Sequence, residues 1–217
     1  MQISTTLVII VITTLVSIGG FTNHRIMDNL IFYPPAVSQK KQWYRFFTCG
    51  LIHADVSHLL FNMLSLYFFG NVVEEIFKVF FPLSGKWLYL AMYVSALVVS
   101  LLPTYFKNIN NYNYRSLGAS GAVSAVVFAG LIIAPDQPIY IYFIPIGIPG
   151  FIFAPLYLLL SVLLDRRGGG NINHSAHIWG SVYGLIFIIA AGRVAGYDVV
   201  TYFITTVKAY MHSKGWL

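Results

Sequence analysis

Charge is what this 217-residue sequence has least of. Asp, Glu, Lys and Arg together make up 9% of it, against about 25% in a soluble domain. A chain so poor in charge cannot cover a water-facing surface, and a soluble globular protein is excluded. Acidic residues are scarcer still, 7 against 13 Lys and Arg, for a net charge of +6. The basic residues lie in short stretches between apolar runs, which suits anionic lipid headgroups. No basic stripe interleaved with aromatic residues is present, so no nucleic-acid partner is implied. Cysteine is nearly absent: Cys49 stands alone, which excludes an internal disulfide and leaves the redox compartment unread. With only His53 and His58 nearby, it makes no metal-ligand pattern, so Cys49 reads as a buried, inert thiol and neither a metal nor another cofactor is implied.

What the sequence has is apolar length. Hydrophobic residues are 58% of the chain and the mean hydropathy is +0.73. A crossing helix needs about 20 mostly apolar residues, and six segments qualify, roughly 3–21, 57–73, 87–105, 117–135, 141–164 and 175–193. The expected fold is an all-α membrane protein, residues 1–196 forming one six-span unit. The first segment lacks a basic flank and a cleavage motif, so it reads as a retained span rather than a signal peptide. The fifth is interrupted by Pro145, Pro149 and Pro155, and its helix is expected to begin near Gly150. The long connection 22–56, rich in Phe, Tyr and Trp, reads as a folded loop at the membrane interface. Residues 165–173, DRRGGGNIN, read as a flexible loop. The tail 197–217 is too broken by charge to span, and its residues 199–210 suit a surface amphipathic helix.

Direction of crossing narrows the question of function. Segments 2, 4 and 6 cross the same way, so their N-terminal ends share one side of the membrane. The polar residues that lipid would reject lie at those three ends: His53, His58 and Asn62 at the second, Gly118-Ala119-Ser120-Gly121 at the fourth, His174 and His177 at the sixth. Polar groups in membrane segments are costly and face a cavity or one another. His58 and Asn62 are four apart and share a helix face. Gly118/Ala122 and Ser120/Ser124 on the fourth segment, and Gly180/Gly184 on the sixth, are small residues at the spacing that lets helix backbones touch. Such packing would bring Ser120 within reach of His177. A serine hydroxyl becomes a nucleophile when a neutral imidazole takes its proton. An acyl-transfer intermediate then needs donors aimed at its oxyanion; His58, Asn62 and the Ser120 N–H at a helix N-terminus could supply them. With no carboxylate at these ends, a Ser-His dyad is expected rather than a triad. Taken singly, each feature is explained by helix packing or interior hydrogen bonding; the convergence on one membrane face carries the chemistry.

Three stretches in this order, HADVSHLLFNMLSLYFFG (His53–Gly70), GASGAVSA (Gly118–Ala125) and AHIWGSVYG (Ala176–Gly184), resemble the rhomboid family of intramembrane serine proteases. The resemblance covers nearly the whole chain, from the first span to Arg193. It implies a six-helix bundle with a water-accessible cavity opening to the extracytoplasmic side. It further implies Ser120 as nucleophile, His177 as general base, and His58, Asn62 and the Ser120 amide as oxyanion hole. Gly118 and Gly121 would leave room for the substrate, His53 would support the first loop, and Arg45 and Glu74 would be structural. The substrates implied are transmembrane or membrane-anchored proteins with a small residue before the cut, and the fifth helix is the candidate lateral gate. Two features depart from the family. Where many members carry an aromatic residue stacking on the histidine, this chain has Ser124, so support for His177 is expected from Tyr183 or Trp179. With the N-terminus inside, Lys and Arg fall mostly outside, against the positive-inside rule.

Two other function classes compete. A catalytically inactive relative would bind membrane clients, but such relatives typically lack the serine or the histidine. A transporter would need charge within its spans or paired half-repeats, and neither is visible. The compact form points to a bacterial plasma membrane; the sequence is silent on oligomeric state.

Overall fold

The computed structural model describes residues 4–140, 146–167 and 172–217. Residue 3 of the first segment, residues 141–145 (with Pro145) of the fifth, and Gly168–Asn171 of the glycine loop lie outside the described residues. The chain is mostly helical. Helix α1 (Thr5–Thr22) is followed by three short helices, α2 (His24–Leu30), α3 (Pro34–Lys40) and α4 (Arg45–Thr48), then a 3-10 turn over Cys49–Leu51. The long α5 (Val56–Phe80) leads to α6 (Gly85–Val99) and α7 (Leu102–Asn108), then α8 (Ser120–Ile133). Strands β1 (Pro138–Tyr140) and β2 (Gly147–Pro149) pair antiparallel, Ile139 opposite Ile148, ahead of α9 (Gly150–Arg167), α10 (His174–Val194) and α11 (Val199–Ser213).

Four stretches are long and apolar enough to cross a membrane: α1, α5, the nearly continuous α6–α7 and α10. The sequence predicts six. The difference lies in α8 and α9. Helix α8 has 14 residues, about 21 Å at 1.5 Å per residue, against a hydrocarbon core of about 30 Å. It begins at Ser120 rather than at 117, because Gly118 has φ +111, a conformation that helical geometry and side chains both avoid. It can be short because lipid is not its solvent: ten of its residues, among them Gly121 to Val126, are buried between α5, α6 and α10. Helix α9 contains Pro155 and ends in Asp165, Arg166 and Arg167. It starts at Gly150 as the prolines predict, directly after β2 and its pairing with β1. The third predicted span is also divided, with a turn at Ser100–Leu101 and Pro103 opening the next helix.

Two cores organise these elements. The larger joins α1, α5, α6, α8 and α10 around Leu66, Phe77, Tyr89, Met92, Val126 and Ile188. The smaller joins Phe32, Val37, Phe46 and Cys49 of the first loop to Leu101, Tyr105 and Ala176, so the loop is packed against the N-terminal end of α10. Arg45 ties the loop from inside: its Nη1 donates to the carbonyls of Asp28 (2.9 Å) and Ile31 (2.6 Å), and its Nε to Gln42 (2.6 Å). The tail helix α11, capped by Asp198, packs back on α8 and α10, and Tyr210 meets Phe151 at 5.6 Å between ring centroids.

Glu74 anchors the opposite end. Its carboxylate accepts from the backbone N–H groups of Thr5 and Thr6, both 2.9 Å, and from the hydroxyls of Ser4 (2.8 Å) and Thr6 (2.9 Å). A carboxylate at a helix N-terminus satisfies donors that the helix cannot. Each buried donor left bare costs about 1–3 kcal/mol. Glu74→Ala should therefore lose about 2–4 kcal/mol, read as a lower melting temperature in detergent, with Glu74→Gln intermediate. Wild-type melting of Glu74→Ala would remove the anchoring role.

Candidate active site

The N-terminal ends of α5, α8 and α10 meet. Each end is built by its own local signal. Asp55 caps α5, its carboxylate accepting from His58 N–H at 2.8 Å and Ser57 Oγ at 2.6 Å; these bonds, the Ser57 hydroxyl foremost, hold the Asp55 carboxyl below its usual range. The cap fixes the turn from which His58 projects. Asn173 caps α10, accepting from Ala176 N–H at 3.1 Å, and also accepts from Thr104 Oγ1 at 3.1 Å. It fixes the turn that carries His177. Helix α8 is approached by an extended stretch that pairs with the first loop: Phe32 and Ser116 exchange backbone bonds of 2.9 and 3.1 Å, and Gly118 N–H donates to Cys49 O at 2.9 Å. The long first loop therefore acts as a partner strand for the turn before Ser120.

His53 locks that turn from behind. It is fully buried. Ala119 N–H lies 3.4 Å from its Nε2, and Ser17 Oγ lies 3.0 Å from its Nδ1. Since Nε2 must accept from a backbone N–H, Nδ1 carries the proton and donates to Ser17, whose hydroxyl donates on to Leu51 O at 2.9 Å. Burial, with His58 beside it, pushes the His53 imidazole down to about 3, consistent with a neutral structural ring. Cys49 is buried and free, and burial pushes its thiol up to about 12, far from a reactive thiolate.

The predicted residues fall as follows. Ser120 is the first residue of α8 and is half-buried. The first bond of its helix is Val123 N–H to Ala119 O, so the N–H groups of Ser120, Gly121 and Ala122 have no carbonyl partner among the described residues at the positive end of the helix. His58 lies against Gly118: a Cβ there would stand 2.7 Å from its Cε1 and 3.0 Å from its Nε2. Gly118 is needed twice, for its positive φ and for this approach. Asn62 is buried and donates to His58 O at 2.9 Å, leaving its second amide hydrogen uncommitted. Gly121 packs on Ser100 and lies near Ala176 O, so the Ser120 and His177 turns face each other. Neither the Ser120 hydroxyl nor His177 Nε2 has a hydrogen-bond partner among the described residues.

Gly180 and Gly184 meet α8 as predicted for a close helix pair, but in a different register. A Cβ on Gly180 would overlap the Gly121 carbonyl, and one on Gly184 the Ala125 carbonyl. The contact stripe of α8 is thus Gly121/Ala125, not Gly118/Ala122 or Ser120/Ser124. Helix α8 begins later than the sequence suggests, and Gly118 stands outside it. Ser124 faces α9, 3.3 Å from the Tyr157 hydroxyl. Support for His177 also differs from expectation. Tyr183 is engaged with Ser95 Oγ at 2.6 Å and Trp179 is exposed. The ring beside His177 is Tyr157, its hydroxyl 3.2 Å from Nδ1 and its plane 20° from the imidazole. Sequence reasoning missed Tyr157 and Asn173. A lone Tyr in a leucine-rich segment, and an Asn one residue before a polar helix start, were the available signals. Among the described residues no group of three His, Cys, Asp or Glu side chains could hold a metal ion.

A small cavity opens beside Ser120, lined by Cys49, Leu97, Ser100, Gly118, Ala122 and Ala176 among others. Comparison with known proteins matches residues 40–194 to the rhomboid domain. The chain is 28% identical over 151 residues to RHOMBOID-like protein 12, mitochondrial, of Arabidopsis thaliana, covering 64% of this chain and 44% of that protein. It is 26% identical over 175 residues to the rhomboid protease GluP of Bacillus subtilis, covering 80% and 31%. It is 28% identical over 142 residues to the bovine presenilin-associated rhomboid-like protein, mitochondrial, covering 63% and 35%. The matched stretch spans less than half the length of each of these three relatives.

Proposed function

The chain belongs to the rhomboid family, and on that premise we propose that it is an intramembrane serine endopeptidase acting through Ser120 and His177. The observation that carries the reading is the meeting of the α5, α8 and α10 N-termini, with His58 against Gly118 and Gly121 against Ala176. In this reading six segments cross, α8 and α9 included, and the three ends open together on the extracytoplasmic side. His177 Nε2 removes the Ser120 proton as Oγ adds to the scissile carbonyl. The tetrahedral oxyanion accepts from the Ser120 N–H, His58 and the free amide hydrogen of Asn62. The Ala54 N–H faces His58 Nδ1 at 3.5 Å, which favours a proton on Nε2, the nitrogen near Gly118. Collapse breaks the C–N bond, and His177 gives its proton to the leaving amine. Water, deprotonated by the same imidazole, then cleaves the acyl-enzyme ester and restores Ser120.

Substrates would be transmembrane or membrane-anchored proteins. The small cavity beside Ser120 suits a small side chain before the cut, and α9, which turns a leucine-rich face outward, is the candidate lateral gate. A bacterial plasma membrane is the compartment proposed. The test is the purified protein in detergent with a serine-reactive fluorophosphonate and a fluorogenic transmembrane substrate, beside Ser120→Ala. Labelling and cleavage by wild type, absent in the variant, is the expected result. Wild type inert to both would overturn the reading and put client binding in its place.

A further inference from the structure

Helix α9 turns Leu156, Leu159, Leu160 and Leu163 outward and one polar ring inward. Tyr157 packs between Phe128 (centroids 5.7 Å apart) and Phe153 (5.9 Å) and lies nearly parallel to the His177 ring, 6.4 Å away. Its hydroxyl has three polar neighbours, His177 Nδ1 at 3.2 Å, Ser124 Oγ at 3.3 Å and the buried Ser161 of its own helix. Resting on the reading of His177 as general base, we propose that Tyr157 is its positioning residue, a phenol on α9 that fixes the tautomer and orientation of the imidazole.

The chemistry follows from the donor inventory. A histidine serves as base through Nε2 only when Nε2 is unprotonated, and the tautomer is set by what Nδ1 donates to. With Nδ1–H donating to the Tyr157 oxygen, the Tyr157 O–H is released to donate to a serine hydroxyl, Ser124 on α8 or Ser161 on α9. That chain leaves Nε2 bare, on the side of the ring away from the Tyr157 hydroxyl. No other neighbour fills this place. His174 meets His177 edge-on, with rings 5.8 Å apart and 80° between planes, Trp179 faces out, and Tyr183 is bound to Ser95. Ser124 is thus the inner end of a hydrogen-bond chain, and the small side chain at that position makes room for a ring from the next helix. The arrangement makes the seating of α9 and the arming of the base one event, because any outward movement of α9 carries the hydroxyl with it.

Tyr157→Phe keeps the ring and its packing and removes only the hydroxyl. It should lower kcat for a fluorogenic transmembrane substrate about 10- to 100-fold with KM unchanged, and slow fluorophosphonate labelling of Ser120 in proportion. Ser124→Ala should show a smaller loss of the same kind. Nitrogen NMR of histidine-labelled wild-type protein gives a second readout that does not depend on the variant folding: the His177 signal should show the Nδ1-protonated tautomer. Wild-type kcat in Tyr157→Phe, or an Nε2-protonated His177 in the resting wild type, would overturn the proposal. A wild type with no Ser120-dependent labelling would instead overturn the protease reading itself.

Discussion

Ser120→Ala, His177→Ala and the double variant are expected to lose the same activity, each falling about 10⁴-fold or more in kcat/KM. The equality is the informative part. If hydroxyl and imidazole act as one unit, removing either removes the whole nucleophilic step, and removing the second costs nothing further. What survives in all three would be the background supplied by substrate positioning and the oxyanion donors. The half-buried setting of both residues means that neither truncation opens the main core, so melting temperatures should stay near wild type. Single-turnover cleavage of a fluorogenic transmembrane substrate in detergent checks this. A double variant whose loss is the product of the single losses would show two independent contributions and end the dyad assignment. His58→Ala and Asn62→Ala should fall less, about 10²-fold each, the loss typical of one oxyanion donor.

Gly184→Val is expected to abolish the native fold in detergent, and Gly180→Val to do the same. A Cβ at Gly184 would overlap the backbone of Ala125, and one at Gly180 the backbone of Gly121. Overpacking usually costs about 1–3 kcal/mol because side chains shift. Here the obstacle is the backbone of α8, which is hemmed in by α5, α6 and α10 and cannot recede without opening the main core. Gly19→Ala in α1 is the matched control. Its Cβ would meet Ile26 Cδ1 at 3.5 Å, an ordinary contact, so the change should be neutral or slightly stabilising, as alanine is in a helix interior. Size-exclusion profiles and thermal melts of the three variants decide the matter. A monodisperse, wild-type-like Gly184→Val would mean that α8 and α10 do not pack through this stripe.

Some of this protein was readable before any tertiary structure. Scarce charge and long apolar runs place it in a bilayer, because lipid solvation is a bulk property that composition reports directly. The parity of the segments puts the polar ends of the second, fourth and sixth together, and α5, α8 and α10 do meet there. Pro149 and Gly150 mark the start of α9, and the Gly180/Gly184 spacing announces a close helix pair, because both are local backbone effects. The partner stripe, Gly121/Ala125, depended on where α8 begins. That was decided by His58 against Gly118, by Cys49 holding the Gly118 N–H and by His53 holding the Ala119 N–H, three contacts with residues 60 or more positions away. The short length of α8 followed from its burial, which hydropathy cannot register, since a helix sheathed by protein and one sheathed by lipid look equally apolar. The ring beside His177 came from α9, not from the helix positions where the sequence directed attention. A side chain's partner across a bundle is set by helix rotation and tilt, quantities that emerge only when all the packed faces are satisfied at once.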